Sequence, residues 1–157
     1  RQSHDRIRGV IDGAAQSGVA LLAGGRDCSV SDHDGGYFLA PTVLDGVDPG
    51  SDIASAEIFG PVLTLMHMDE LDDAIASINS GRYGNMACLF TSSGGAARKF
   101  RHDVDAGNVG INIGVAAPMP FFPFSGWKDS FFGDLHGQGW DSLEFFTQKK
   151  VVVERWF

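Results

Sequence analysis

The chain has 157 residues, of which 43% are hydrophobic and 20% charged, and its formal net charge is −8. This length and composition predict one compact domain with a real core and exclude a disordered chain. No apolar run approaches the roughly 18 residues of a membrane span. The acidic charge argues against nucleic acid or an anionic membrane as the main partner.

The first half of the chain alternates helical and strand patterns. One amphipathic helix is predicted over about residues 3–17, because four apolar residues share a face: Ile7, Val10, Ile11 and Ala14. Gly18 stands where this helix would stop. A strand is predicted at 19–22, before a Gly24-Gly25 turn, and further strands at 38–43 and 62–68.

The second half continues the alternation. Helices are predicted over 70–80 and 96–104, and strands over 86–90 and 109–113. This run of strands and helices indicates a parallel α/β sheet covered by helices. The β-branched run 150–157 would, as a bare edge strand, invite pairing with another chain.

A proline-rich aromatic segment follows the last of these helices and strands, and it contains Pro118, Pro120, Phe121, Phe122, Pro123 and Phe124. The prolines exclude a regular helix and an interior strand. Exposing so many rings is costly, so the segment is expected to line or cover a pocket. A loop packed simply on its own domain fits the composition equally well.

The stretch Glu57-Ile58-Phe59-Gly60-Pro61-Val62 places a carboxylate and an aromatic ring two residues apart. A carboxylate can accept hydrogen bonds from both hydroxyls of a ribose, and a ring can lie against a flat heterocycle. Taken alone, the six residues are better interpreted as a charged strand edge with a core phenylalanine.

Other functional patterns are absent from the sequence. Cys28 and Cys88 lie far apart without metal-ligand spacing, and the five histidines share none, so neither a disulfide framework nor a metal site is predicted. The Asp32-His33-Asp34-Gly35 segment imitates the start of a calcium loop but lacks its glutamate, which favours a turn. No Walker loop, Gly-x-Ser-x-Gly or Gly-x-Gly-x-x-Gly motif is present.

Eight segments in a fixed order give the chain a family resemblance: 36–43, 57–62, Asn79 with 83–85, 90–91, 97–99, 107–112, 120–126, and 133–135 followed by 145–150. In this order they resemble the C-terminal part of the aldehyde dehydrogenase superfamily. Within it, Phe131-Phe132-Gly133-Asp134 points to the CoA-acylating methylmalonate-semialdehyde dehydrogenases. Each segment alone is weak, and the eight together are specific.

The resemblance implies a chemistry and roles for particular residues. In this family a cysteine thiolate attacks an aldehyde, hydride passes to NAD, and the acyl group of the thioester is released, to CoA in the acylating branch. Glu57 matches the glutamate that holds the nicotinamide ribose, and Phe59 matches the ring beside the nicotinamide. Phe124 matches an aromatic residue of the aldehyde tunnel. Its neighbours Phe121 and Phe122 are expected to join it.

The resemblance also implies what lies outside this chain. The family nucleophile sits in a Gly-Gln-x-Cys segment that the chain does not contain, so no catalytic residue is assigned here, and the Rossmann half that binds NAD is also missing. We expect residues 1–148 to be the C-terminal part of the catalytic (thiol) domain, incomplete at its N-terminus. Residues 149–157 would be an oligomerisation strand. The expected parent is a cytoplasmic dimer or tetramer, and the fragment alone is expected to be inactive.

An alternative of a different class stays open at this point. The chain would then be a naturally truncated, non-catalytic module that keeps the fold for binding or assembly. Asn112 matches a family residue that supports the active-site loops, and a structural role is favoured for it under either interpretation. The coding sequence upstream of Arg1 would separate the two, because only an enzyme needs the nucleophile and the cofactor half.

Overall fold

The first helix, α1 (Gln2–Gln16), buries the face that its apolar spacing predicted, with Ile7, Ile11 and Ala14 almost inaccessible. This computed structural model describes residues 1–24 and 28–157, so the Gly25 half of the predicted turn lies outside the described residues. The described chain divides into two compact units, Arg1–Asp69 and Glu70–Phe157.

The first unit is built on a three-stranded sheet beside two helices. Its strands are β1 (Ala20–Ala23), β2 (Thr42–Asp45) and β3 (Val62–Leu65), and a short helix α2 (Asp52–Ser55) precedes β3. The strands lie in chain order, with β1 antiparallel and β3 parallel to β2. The strand predicted at 38–43 begins only at Thr42, because Pro41 has no N–H to donate to a ladder.

The second unit contains a parallel strand–helix–strand element. It comprises α3 (Leu71–Ser80), β4 (Tyr83–Gly84), β5 (Met86–Leu89), α4 (Gly94–Asp103), β6 (Asn108–Ile111), β7 (Trp127–Lys128) and α5 (Gly139–Phe146). Strands β5 and β6 pair in parallel, and β4 pairs with β7 antiparallel. Ile75 of α3 and Phe100 of α4 pack with Ala87 of β5 into one core.

The α/β class is confirmed, but the prediction of one parallel sheet is wrong. Within residues 1–24 and 28–157 the strands form three small sheets, and two of the four strand pairings are antiparallel. Strands β3 and β5 lie on either side of α3 and the two-residue β4 in the chain, yet β3 pairs with β2 and β5 with β6. Periodicity identifies strands but does not contain their partners, which explains the error.

The predicted strand at 150–157 is not formed within this chain. These residues pair with no strand among the described residues, and Val151, Val153 and Trp156 are almost fully exposed. Helix α5 was not predicted, and none of its residues is buried within the described part of the chain. Among the described residues, no helix is long and apolar enough to cross a bilayer.

Candidate functional site

Residues 57–60, here called the carboxylate–aromatic segment, alternate between solvent and core. Glu57 is exposed, Ile58 is buried, and the Phe59 ring is 85% exposed. Phe59 has a φ of +53°, the left-handed region that bulky residues rarely adopt. The prediction of a core phenylalanine from the six residues alone is therefore wrong, since Ile58 takes the core position.

Helix α1 packs against this segment. Ile58 joins Ile7 and Ile11 in a buried cluster, and the Arg6 guanidinium donates a hydrogen bond to the Ile58 carbonyl. A Cβ placed on Gly60 would lie 2.6 Å from Ile7 Cδ1, so a larger residue here would force the buried Ile7 side chain to shift. Burial of one residue thus fixes the direction of the two side chains on either side of it.

This arrangement can present two groups to a ligand. Among the described residues, the Glu57 carboxylate has no hydrogen bond or ion pair, so its acceptors are available. The Phe59 ring forms one side of an open groove of about 360 Å³, whose other walls include Tyr37 and His4. Phe59 carries two costs, the exposure of an apolar ring to water and a strained backbone conformation. Such costs are typical of a functional rather than a structural position.

Residues 118–124, here called the aromatic loop, also present rings to solvent. Phe121 and Phe122 are 64% and 57% exposed, with ring centroids 4.8 Å apart, and Phe124 is 38% exposed. Neither strand nor helix forms here, as the prolines predicted. The loop is therefore not packed away on its own unit, and its rings are available to line a pocket.

The backbone of the aromatic loop is fastened to the start of α5. The Phe124 N–H donates to the Gly137 carbonyl at 2.7 Å, and the Gly139 N–H donates to the Pro120 carbonyl at 3.2 Å. Gly139 has a φ of +57°, and a Cβ on it would meet the Phe121 carbonyl oxygen at 2.9 Å. Only glycine meets both requirements, so this contact depends on that residue.

Two asparagines secure the ends of β6, the strand from which the aromatic loop departs. Past the end of the strand, Asn112 bonds both the N–H and the carbonyl of Thr91 through its side chain, at 2.8 and 3.0 Å. At the start of the strand, buried Asn108 donates from Nδ2 to the carbonyls of Asn85 and Ser125. Asn112 thus has the supporting contacts that a structural role requires.

His136 makes a third connection at the returning end of the loop. Its Nε2 lies 3.3 Å from the Gly126 carbonyl oxygen, its Nδ1 lies 3.1 Å from Asp141 Oδ2, and its ring stacks on Phe131. The backbone N–H of His136, and then its ring, hold the pKa of the Asp141 carboxyl below its ordinary value. Asp141 in turn stands in the first turn of α5, where a carboxylate is favourable.

The predicted site residues fall into the two units. Glu57 and Phe59 lie together in the first unit, and Phe121, Phe122 and Phe124 lie together in the second. Three residues that fasten the loop carry no sequence pattern that assigns them this role: Asn108, His136 and Gly139. For Asn108 a signal existed, because a polar residue opening an otherwise apolar strand usually bonds to something.

The remaining titratable groups form no second site. The described residues contain no group of three histidine, cysteine or carboxylate side chains that could hold a metal ion. Cys28 and Cys88 are free thiols of intermediate burial. The Asp32-His33-Asp34-Gly35 segment is a turn, closed by hydrogen bonds from the N–H groups of His33 and Gly36, as predicted.

The sequence matches one family profile and is similar to several known proteins. The sequence profile described as "Aldehyde dehydrogenase family" matches residues 1–152. Malonate-semialdehyde dehydrogenase of Halalkalibacterium halodurans is 47% identical over 157 residues, and malonate-semialdehyde dehydrogenase 1 of Geobacillus kaustophilus is 49% identical over 156. Each alignment covers 99% of this chain and 32% of the relative.

Solved structures agree with the sequence comparison. Methylmalonate-semialdehyde dehydrogenase of Oceanimonas doudoroffii superposes with a TM-score of 0.95 at 40% identity. A protein of Sinorhizobium meliloti assigned to the same activity, crystallised with NAD, superposes with a TM-score of 0.96 at 36% identity. Both alignments cover 99% of this chain and 32% of the solved one, so the chain spans about a third of the length of its relatives.

Proposed function

The chain belongs to the aldehyde dehydrogenase family, and on that premise we propose that it is the C-terminal part of an NAD-dependent, CoA-acylating malonate- or methylmalonate-semialdehyde dehydrogenase. The parent would oxidise a semialdehyde through a cysteine thioester and pass the acyl group to CoA. Support comes from identities of 36–49% along nearly the whole chain to enzymes that carry these names.

We place the nucleophile and the NAD-binding half in the part of the parent that this chain does not cover. Residues 1–148 would then belong to the catalytic domain and residues 149–157 to an oligomerisation strand. Because proximity of nucleophile and cofactor supplies much of such a rate, the 157 residues alone should form no NADH from aldehyde and CoA. NADH formation that Cys28→Ser or Cys88→Ser abolishes would contradict this assignment.

The carboxylate–aromatic segment is proposed to bind the nicotinamide end of NAD. The observation that carries this proposal is the 85% exposure of Phe59 on a left-handed backbone. A cofactor face laid on the ring would cover that apolar surface, and the Glu57 carboxylate beside it would accept from the ribose hydroxyls. Together they would hold the hydride acceptor in one orientation relative to the thiohemiacetal.

Glu57→Gln in the full-length enzyme tests this role. Charge-assisted hydrogen bonds are worth roughly 1.5–3 kcal/mol, so single-turnover hydride transfer should slow about tenfold to hundredfold, with a smaller change in NAD affinity. Glu70→Gln is the matched control, because Glu70 is also exposed and lies outside the segment. An unchanged hydride rate in Glu57→Gln would return Glu57 to an ordinary charged surface position.

The aromatic loop is proposed to line the aldehyde pocket through Phe121, Phe122 and Phe124. In the full-length enzyme, Phe122→Ala should change the ratio of kcat/KM between a short and a branched aldehyde, because the lost ring leaves space that the larger substrate can fill. Phe132→Ala is the control, since Phe132 is 93% exposed in the same unit. An unaltered ratio in Phe122→Ala would contradict the pocket assignment.

The last nine residues are proposed to pair with a second copy of the parent. Their side chains are exposed, and they pair with no strand among the described residues. Their backbone N–H and C=O groups are therefore available to pair with a strand of another chain. The competing interpretation is a strand packed within this chain's own sheet. Among the described residues, no backbone pairing of residues 149–157 supports it. Sedimentation should give a dimer or larger for the full-length enzyme and a smaller species when it is cut after Thr147. A monomer at tens of micromolar before truncation would contradict the proposal.

A further inference from the structure

Two consecutive residues of α1 contact the carboxylate–aromatic segment in different ways. Ile7 packs its side chain against Ile58 and against the backbone at Gly60. Arg6 donates a hydrogen bond from its guanidinium to the Ile58 carbonyl, across 52 residues of sequence. The apolar contact fixes where the Ile58 side chain lies, and the polar contact fixes the peptide group that leads from Ile58 into Phe59.

The orientation of this peptide group decides the backbone conformation of Phe59. The carbonyl of Ile58 and the N–H of Phe59 belong to one planar unit, which turns as a whole. Turning it over carries φ of Phe59 from its +53° into the negative range, where bulky residues have no steric penalty. A restraint on the peptide group is therefore needed to keep the ring in the direction that it has.

Arg6 supplies this restraint. Among the described residues, its bond is the one hydrogen bond that the 58–59 peptide group makes, and the Phe59 N–H donates to no acceptor there. The chain just beyond is held separately, since the Thr42 N–H donates to the Pro61 carbonyl at 2.8 Å. A hydrogen bond from a charged donor is stronger than one between neutral groups, and the guanidinium stays charged at every working pH.

We propose that Arg6 is a positioning residue for hydride transfer, which holds Phe59 in its left-handed conformation and so directs the ring toward the nicotinamide. This rests on the proposed role of Glu57 and Phe59 in binding the nicotinamide end of NAD. Arg6 acts through the backbone and needs no contact with the cofactor. Because the adenine half of NAD would be bound by the part of the parent that this chain does not cover, loss of the bond slows hydride transfer more than it weakens NAD binding.

The first measurement compares glycine and alanine at position 59 in two backgrounds of the full-length enzyme. With Arg6 in place, Phe59→Gly should unfold on heating about 1–2 °C above Phe59→Ala, because only alanine bears the cost of the left-handed backbone. In the Arg6→Ala background the peptide group can turn over, so this difference should vanish or change sign. A general stabilising role of Arg6 would lower both midpoints equally and leave the difference unchanged.

The second measurement is the single-turnover rate of hydride transfer with Phe59 in place. Arg6→Ala should slow this rate about threefold to tenfold, the effect of one lost hydrogen bond, with a smaller change in NAD affinity. Arg8→Ala is the matched control, because it removes the same charge from the same helix, and Arg8 has no hydrogen bond or ion pair among the described residues. The control should leave the rate unchanged.

The outcomes distinguish this inference from the function on which it rests. A difference between glycine and alanine that persists in the Arg6→Ala background overturns the inference, and so does an unchanged hydride rate in Arg6→Ala. If Glu57→Gln nevertheless slows hydride transfer, the nicotinamide role of the segment stands without Arg6. If Glu57→Gln leaves the rate unchanged, the nicotinamide role itself has failed, and the inference fails with it.

Discussion

The carboxylate–aromatic segment and the aromatic loop present rings to solvent by opposite means. The first is fixed by apolar burial, with Ile58 packed among Ile7 and Ile11. The second is fixed by polar contacts to its backbone, from Asn108, His136 and the start of α5. A packed cluster is sensitive to the volume of its side chains and not to pH, whereas hydrogen bonds depend on which donors and acceptors the side chains supply.

The difference teaches where each region is vulnerable. A core cluster loses stability when atoms are removed, because the space they leave is only partly refilled. A loop held against a strand by its backbone loses stability when atoms are added between them. The two regions are therefore best compared by substitutions of opposite kind.

The largest effect is expected from Gly107→Ala, beside the returning end of the aromatic loop. A Cβ at this position would lie 2.6 Å from the backbone nitrogen and 2.7 Å from the Cα of Gly126, and neither atom can move without its strand or loop. We expect unfolding in urea to require about 3 kcal/mol less. Gly137→Ala is the control, since its Cβ would meet no atom within 4 Å. Equal urea midpoints for the two variants would show that the backbone at Gly126 moves away from the added Cβ without a loss of stability.

A smaller loss is expected from Ile58→Ala in the packed region. Truncating this buried side chain leaves a cavity against Ile7 and Ile11, and we expect a cost of about 2 kcal/mol in the same urea experiment. The loss should be the same at pH 6 and pH 8, because no titratable group takes part in the cluster. A cost that varies with pH would remove the contrast between the two regions.

The backbone of Phe59 allows a finer test of the packed region. Glycine adopts a φ of +53° without steric cost, whereas alanine does not. Phe59→Gly should therefore be about 1 kcal/mol more stable than Phe59→Ala, the reverse of the usual order, by thermal unfolding of the two variants. If alanine proves the more stable, the left-handed conformation is not imposed by the fold.

The smallest effect is expected from Asp141→Asn in the polar region. The His136 N–H and ring lower the pKa of Asp141 in the folded state. A depressed carboxyl pKa stabilises the fold above the ordinary value and loses that contribution as pH falls through the folded value. The unaltered protein should thus be more stable than the variant at neutral pH, and the difference should shrink as pH falls below the ordinary carboxyl pKa and vanish below the lowered pKa of the folded state. A difference that persists in acid would assign it to something other than ionisation.

Much of the fold could be predicted from sequence, and the exceptions have physical causes. Helix α1 buries its predicted face, and the predicted helices over 70–80 and 96–104 are present as α3 and α4. Helix α4 begins at Gly94, two residues early, because Ser93 caps it through the Ala96 N–H. Strand partners were not predictable, since periodicity shows which face is buried and not which strand lies beside it.

For the candidate site, the sequence predicted the residues but not the contacts that hold them in place. Residue order identified Glu57, Phe59 and the three loop phenylalanines, and their assigned roles remain proposals. The contacts that fasten the loop were not predictable. Asn108 and Ser125 lie 17 residues apart and His136 and Gly126 lie 10 apart, and although a polar residue at the start of an apolar strand indicates that Asn108 has a partner, the local sequence does not indicate which residue it is.

The aromatic loop leaves one end of β6 and returns to the other, with an asparagine at each end of a strand only four residues long. Both of its stems are therefore anchored on the same rigid element, independently of what lies between them. The side chains of residues 118–124 take no part in the bonds that Asn108 and Asn112 make, so they can be exchanged without removing those bonds. Under the aldehyde-pocket role proposed for this loop, a change of aldehyde preference therefore requires no change at the two asparagines.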